Sequence, residues 1–205
     1  QGYSNQALSV TFSPDSQILA SGGQDGKIRL WDSTTGRVIK TLSGHSNWVF
    51  SVAFSPKHHL LATCSGDQTI KLWDIETGKS NKTLLGHTAI VRSVTFSADG
   101  QILFSASDDR TIRVWDVATG NLKQTIQGHQ AEVWAIAFNS DQQILGSASF
   151  DQTVKLWDIN TGKCLMTLNE HTSWVWSVAF SPDNQTLVST SADQTIRIWN
   201  LNTGE

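Results

Sequence analysis

The stretch GHSNWVFSVAFSPKHHLLATCSGDQTIKLWDIETGKSNKTLL, residues 44–85, holds the pattern from which the whole chain is built. Val49, Val52 and Phe54 are apolar at spacings of three and then two. A strand places every second side chain on one face, so the step of three predicts a bulge. Ser55-Pro56 then opens a turn, and Leu60 to Ser65 reads as a second strand. Gly66-Asp67-Gln68 reads as a tight turn, and Ile70-Lys71-Leu72-Trp73 alternates as a third strand. Gly78 supplies permissive backbone for the next turn. The stretch to Leu84 makes a fourth, more polar strand.

Outward from this segment the same landmarks recur. Trp31, Trp73, Trp115, Trp157 and Trp199 stand 42 residues apart with no insertion. Asp follows the first four, and Asn200 follows the last. His45, His87, His129 and His171 each precede a tryptophan by 28 residues. Gly44, Gly86 and Gly128 stand before the first three histidines and Glu170 before the fourth, while Gly2-Tyr3 takes the equivalent place in the first repeat. Thr-Gly pairs recur at 35–36, 77–78, 119–120, 161–162 and 203–204. Val91, Val94, Phe96 and Val133, Ile136, Phe138 repeat the bulge spacing.

A fixed period in this range marks stacked repeats, each a supersecondary unit that buries its apolar face on its neighbours. With its Gly-His to Trp-Asp landmarks, the chain resembles the WD-repeat family over its whole length. The resemblance implies an all-β propeller of four-stranded antiparallel blades. The expected repeats are 2–43, 44–85, 86–127, 128–169 and 170–205, making one domain over 1–205. The fifth stops at Thr203-Gly204-Glu205, where its outer strand should begin. Gln1-Gly2-Tyr3 already belongs to the loop before the first inner strand and cannot supply that strand. The expectation is therefore an incomplete ring, a piece of a larger propeller, and a start at Gln1 without methionine fits an excised piece. Completion by further blades of another chain or copy, and a five-blade ring closing blade one on blade five, are the alternatives.

Each later repeat carries a matched quartet. The sets are His45, Ser65, Asp67, Trp73; His87, Ser107, Asp109, Trp115; His129, Ser149, Asp151, Trp157; and His171, Ser191, Asp193, Trp199. Ser, His and Asp together invite a catalytic-triad reading. Four copies argue against it, because an active site is normally unique in its chain. By the resemblance, the indole N–H donates to the serine, the serine to the imidazole and the imidazole to the aspartate. Such a chain partners every buried polar group and is structural. In repeat one, Tyr3 replaces the histidine and Gly23 the serine, which leaves Asp25 and Trp31 without their usual links. Blade one is expected to be the least stable of the four-stranded units.

By the same resemblance, partners dock where the inner strand starts and where the turn before the third strand projects. The flanking pairs there are Gln6 and Leu8, Trp48 and Phe50, Ile90 and Arg92, Glu132 and Trp134, and Trp174 and Trp176. The residues before the quartet aspartates are Gln24, Gly66, Asp108, Phe150 and Ala192. Nine tryptophans stand against one tyrosine, and every tryptophan outside the framework falls in this set. Such rings together form an unusually large aromatic patch. The expected binding residues are Trp48, Phe50, Arg92, Asp108, Glu132, Trp134, Phe150, Trp174 and Trp176, with the charged ones setting register and specificity. The competing reading has the rings lying flat on neighbouring blades.

The expected role is a non-catalytic scaffold or sensor module that binds a protein or peptide. Repeats this uniform resemble the C-terminal propellers of bacterial, notably cyanobacterial, signal-transduction ATPases and kinases. The alternative is an enzyme with its active site in the propeller channel. Against it stands the lack of a unique carboxylate pair, metal cluster or phosphate loop. Fifteen basic and eighteen acidic side chains leave a net charge of −3, a poor footprint for nucleic acid or anionic membrane. No apolar stretch approaches a membrane span, and the N-terminal residues given do not read as the basic and then apolar regions of a secretory signal. Cys64 and Cys164 lack metal-ligand spacing and read as small apolar fillers. His58-His59 reads as a solvated turn. No cofactor or metal is expected, and the location expected is cytoplasmic.

Overall fold

A computed structural model describes residues 6–57, 59–141, 143–201 and 203. Tyr3, His58 and Gly204-Glu205, on which some expectations fell, lie outside the described residues. The first sheet runs β1 (Ala7–Phe12), β2 (Ile18–Gly23), β3 (Lys27–Asp32) and β4 (Val38–Ser43). The second runs β5 (Val49–Phe54), β6 (Leu60–Ser65), β7 (Ile70–Asp74) and β8 (Ser80–Leu84). The third holds β9 (Val91–Phe96), β10 (Ile102–Ser107), β11 (Thr111–Asp116) and β12 (Leu122–Gln127). The fourth holds β13 (Val133–Asn139), β14 (Ile144–Ser149), β15 (Val154–Asp158) and β16 (Cys164–Leu168). The fifth has three strands, β17 (Val175–Phe180), β18 (Thr186–Ser191) and β19 (Ile196–Asn200). Each sheet is an antiparallel meander in chain order, as the hairpin spacing implies.

The predicted bulge is present in every inner strand. Register slips at Ala7/Ser9, Val49/Ser51, Val133/Ala135 and Val175/Ser177, and between β9 and β10 at Ala106/Ser107. The extra residue restores Val49 and Val52 to one buried face. A second bulge lies between Leu72 and Trp73 and at its counterparts in blades one, three and four.

The turn before the third strand needs one residue of left-handed backbone, and glycine fills it only at Gly26. Gln68, Arg110, Gln152 and Gln194 take it elsewhere, at φ of 68° to 72°. A residue with a Cβ is disfavoured there by ~1–2 kcal/mol. The next-door aspartate offsets this: Asp67 accepts from the Thr69 amide at 3.0 Å and the Thr69 hydroxyl at 2.7 Å, clamping the turn from inside. The aspartate of each Trp-Asp pair acts alike one turn later. Asp74 accepts from the Thr77 amide and hydroxyl at 2.7 and 2.9 Å, and Gly78 follows at a φ of 73°.

The apolar cores lie between blades, not within them. Ile28, Leu30 and Leu42 of blade one meet Val49, Val52, Leu61 and Trp73 of blade two. Equivalent sets join blades two and three, three and four, and four and five. Neighbours also share a polar clasp. The Val52 amide donates to Ser9 Oγ at 3.2 Å, Val94 to Ser51 and Ile136 to Ser93, each at 3.4 Å. Inner strands follow in series, β1 on β5, β5 on β9, β9 on β13 and β13 on β17. No packing of that kind joins β17 to β1 among the described residues. The structure is an incomplete ring.

Candidate functional site

The framework histidines sit where each loop crosses its blade. His87 Nδ1–H donates to Asp109 at 2.7 Å, and its Nε2 accepts from the Ser105 hydroxyl at 2.8 Å. The Trp115 indole N–H donates to the same Ser105 Oγ at 2.8 Å. His129, Ser147, Asp151 and Trp157 repeat the relay, as do His171, Ser189, Asp193 and Trp199. In blade two Thr63 stands in the hydroxyl position, 2.8 Å from both His45 and Trp73. Its partner Asp67 lies 2.8 Å from His45.

This corrects the serine assignment. Ser65, Ser107, Ser149 and Ser191 are not in the relay, which uses the hydroxyl two residues earlier on the same strand face. Their own hydroxyls donate to the carbonyls of Asn47, Ala89, Ala131 and Ser173 at 3.1–3.4 Å. They accept from the amides of Asp67, Asp109, Asp151 and Asp193 at 3.1 Å. These serines tie the two loops together. The hydroxyl two residues earlier is present in all five repeats, Ser21 included, whereas the later position is Gly23 in the first. That persistence was the available signal.

Repeat one is corrected with it. Trp31 keeps its link, donating to Ser21 Oγ at 2.7 Å. Asp25 accepts from Arg29 at 2.8 Å and from the Lys27 amide at 3.1 Å, so this carboxylate is paired as well.

Burial disfavours the charged forms of Asp67, Asp109 and Asp151, but hydrogen bonds from the histidine and the following threonine outweigh it. These carboxyls are held well below the usual carboxylate range. A depressed folded-state pKa contributes stability above the unfolded value, about 3.9 for Asp, that is lost as pH falls toward the folded one. Urea midpoints should therefore drop as pH falls below about 4. Asp109→Asn should be less stable than wild type at pH 7 and show a flatter acid limb. An unchanged acid limb would remove Asp109 from this account. Burial pushes the Cys64 thiol upward, as expected of a filler.

The projecting set is positioned by one repeated backbone bond. The residue before each quartet aspartate donates its amide to the residue before the first inner-strand valine or its equivalent. The pairs are Gln24 to Gln6, Gly66 to Trp48, Asp108 to Ile90, Phe150 to Glu132 and Ala192 to Trp174, at 2.8–3.0 Å. On this scaffold Phe50, Arg92, Trp134 and Trp176 occupy one register on successive inner strands. They meet across blades. The Arg92 guanidinium lies 4.5 Å from the Phe50 ring centre and 4.2 Å from that of Trp134. Trp134 stacks on Phe150 and Phe150 on Trp174, each at 4.7 Å and 12° between planes. Trp176 stands nearly perpendicular to all three, with ring centres 5.2–5.9 Å apart. Trp48 tilts over Phe50 at 6.0 Å and closes the other end.

The structure therefore brings eight of the nine expected residues into one contiguous column. Glu132 sits beside it, half-buried. Two expectations change. The inner rings cover one another, leaving Trp48 and Trp174 as the most open at 44% and 48% exposure. Arg92 and Asp108 do not face outward as free specificity groups. They form a two-pronged ion pair at 2.8 and 2.6 Å, each side chain only 15% exposed. That pair holds the cation between two rings, where attraction to the ring faces adds to the charge pairing.

The WD domain, G-beta repeat model matches residues 1–32, 36–74, 78–116, 120–158 and 162–200. A ribosome biogenesis protein BOP1 homolog of Brugia malayi is 51% identical over 43 residues, 20% of this chain and 7% of that protein. A periodic tryptophan protein 2 homolog of Dictyostelium discoideum is 47% identical over 36 residues, 18% of this chain and 4% of its own length. The homolog of Mus musculus is 37% identical over 43 residues, 21% of this chain and 5% of that protein. Each likeness is about one repeat long and spans a small fraction of a much longer relative. Five successive matches within residues 1–200 show that the chain belongs to the WD-repeat family.

Proposed function

We propose that this domain is a non-catalytic scaffold that binds a protein or peptide across the aromatic column. The observation that carries this reading is the column itself, continuous from Trp48 to Trp174 across blades two to five. The fold's framework does not require it. The relay residues and the aspartate turn clamps are complete without any of these side chains, and of the column residues Phe50 alone is packed against a blade-junction core. Large, rigid, half-exposed rings give contact area at little entropic cost, and Trp and Arg are enriched among residues that dominate binding energy. Glu132 at the rim is suited to select a basic partner group. The non-catalytic reading is supported by the relay hydroxyls of Ser105, Ser147 and Ser189, which are fully buried and present no nucleophile to a substrate. The name ribosome biogenesis protein, carried by one set of relatives, supports an assembly role over a signalling one. The net charge of −3 favours protein partners over nucleic acid or membrane. Cytoplasmic residence belongs to this proposal as well.

The test is selection of peptides from a displayed random library on wild-type protein, followed by affinity measurement with Trp48→Ala/Trp174→Ala. These two rings cap the column, so their removal leaves the inner stack in place. Loss of a hot-spot tryptophan is worth ~2 kcal/mol or more, about 30-fold in affinity. Selected peptides that bind wild type and the folded double variant equally would defeat the proposal.

A further inference from the structure

The nine tryptophans fall into two chemical classes. Each framework indole N–H donates to a hydroxyl of its own blade: Trp31 to Ser21, Trp73 to Thr63, Trp115 to Ser105, Trp157 to Ser147 and Trp199 to Ser189, at 2.7–2.8 Å. The indoles of Trp48, Trp134, Trp174 and Trp176 have no such acceptor among the described residues. Trp48 and Trp174 are exposed, and the nitrogens of Trp134 and Trp176 are not sealed from solvent. The column therefore presents open N–H donors.

Its acceptors are in the opposite state. The two carbonyls that lead into each inner strand are taken from inside the blade. Ser65, Ser107, Ser149 and Ser191 donate to those of Asn47, Ala89, Ala131 and Ser173. The amides of Gly66, Asp108, Phe150 and Ala192 donate to those of Trp48, Ile90, Glu132 and Trp174. The Asp108 carboxylate is taken by Arg92. The Glu132 carboxylate differs, with no hydrogen bond or ion pair among the described residues. The face is thus rich in open donors, poor in open acceptors, and carries one unpaired negative charge beside its rings.

An ordinary extended peptide brings as many backbone donors as acceptors. Its amides would lose water against this face without gaining a partner, which is costly once they are buried. Proline brings the carbonyl without the N–H. A run of prolines holds the polyproline II form, which has no internal hydrogen bonds and leaves its carbonyls free. That form packs on aromatic-lined surfaces at little cost in chain entropy, because it is already set.

We infer that the occupant of the aromatic column is a proline-rich segment in polyproline II form that carries a basic residue. This rests on the reading of the column as a binding face. Trp48 and Trp174 donate to the carbonyls of the segment, and its pyrrolidine rings lie on their open indole faces. Its basic side chain pairs with Glu132.

The test is fluorescence anisotropy on the 205-residue chain. The probe is a labelled peptide of about ten prolines ending in arginine, roughly 31 Å long in this form. A counterpart of equal length has alanine at alternate prolines, which restores backbone N–H groups. The proline peptide should bind about tenfold more tightly than the counterpart. Trp48→Phe/Trp174→Phe keeps the rings and removes both N–H donors. It should weaken the proline peptide about tenfold, with the circular dichroism spectrum unchanged. Glu132→Gln should weaken the arginine-ended peptide about threefold at low salt and leave one ending in glutamine unaffected. A counterpart that binds as well as the proline peptide overturns the inference, as does wild-type affinity in the phenylalanine or the glutamine variant. If oligoproline fails while library-selected peptides of other composition lose affinity in Trp48→Ala/Trp174→Ala, proline recognition falls and the binding face stands. If no selected peptide depends on those two rings, the face itself falls.

Discussion

Trp115→Ala is expected to lower the unfolding free energy by about 3–5 kcal/mol, the largest single loss foreseen for this chain. The indole is 1% exposed and lies in the core between blades two and three, with Ile70, Leu72 and Leu84 on one side and Val91 and Val94 on the other. Its truncation opens a cavity at a blade junction, where both walls are sheets fixed by their own ladders and slow to collapse. It also leaves Ser105 Oγ without the indole donor. Chemical denaturation of the variant checks the figure. A loss below about 1 kcal/mol would mean that the junction relaxes into the space, contrary to the packing described.

Ser105→Ala should follow, because it strands two buried groups at once, the Trp115 N–H and His87 Nε2. Each buried group left without a partner costs about 1–3 kcal/mol. Ser107→Ala removes one hydrogen bond to the Ala89 carbonyl and one from the Asp109 amide, both shared with part-buried loop backbone, and should cost less. The order distinguishes the relay found in the structure from the one read off the spacing. Ser105→Thr should be nearly neutral, since Thr63 does the same work in blade two. Equal losses for Ser105→Ala and Ser107→Ala in urea titrations, or a Thr variant as unstable as the Ala one, would sink the assignment.

The fold was legible because its period is strict. A tryptophan every 42 residues, with glycine and proline punctuation between, leaves few ways to place four strands. The inner-strand bulge was legible too, since only an extra residue puts Val49 and Val52 on one face. The relay hydroxyl was harder to see. Thr63 and Ser65 point to the same side of β6, two residues apart, and spacing alone does not say which of them the indole reaches. The site was half visible. Its residue set followed from position, but the column depends on contacts across blades. Arg92 reads as an exposed charge in sequence and becomes a spacer between two rings in space.

The open series of blades makes this a molecule whose cooperativity runs along one axis. Each blade leans only on the next through a shared core, so stability is a sum of blade terms and junction terms, as in a linear chain of coupled units. An interior blade is held from both sides and a terminal one from a single side. Within the described series the interior blades therefore gain two junction terms where blades one and five gain one, and the Arg92–Asp108 clamp adds a tie inside blade three. A closed ring has no such ends. Joining the two end blades would add one more junction and make unfolding a single event.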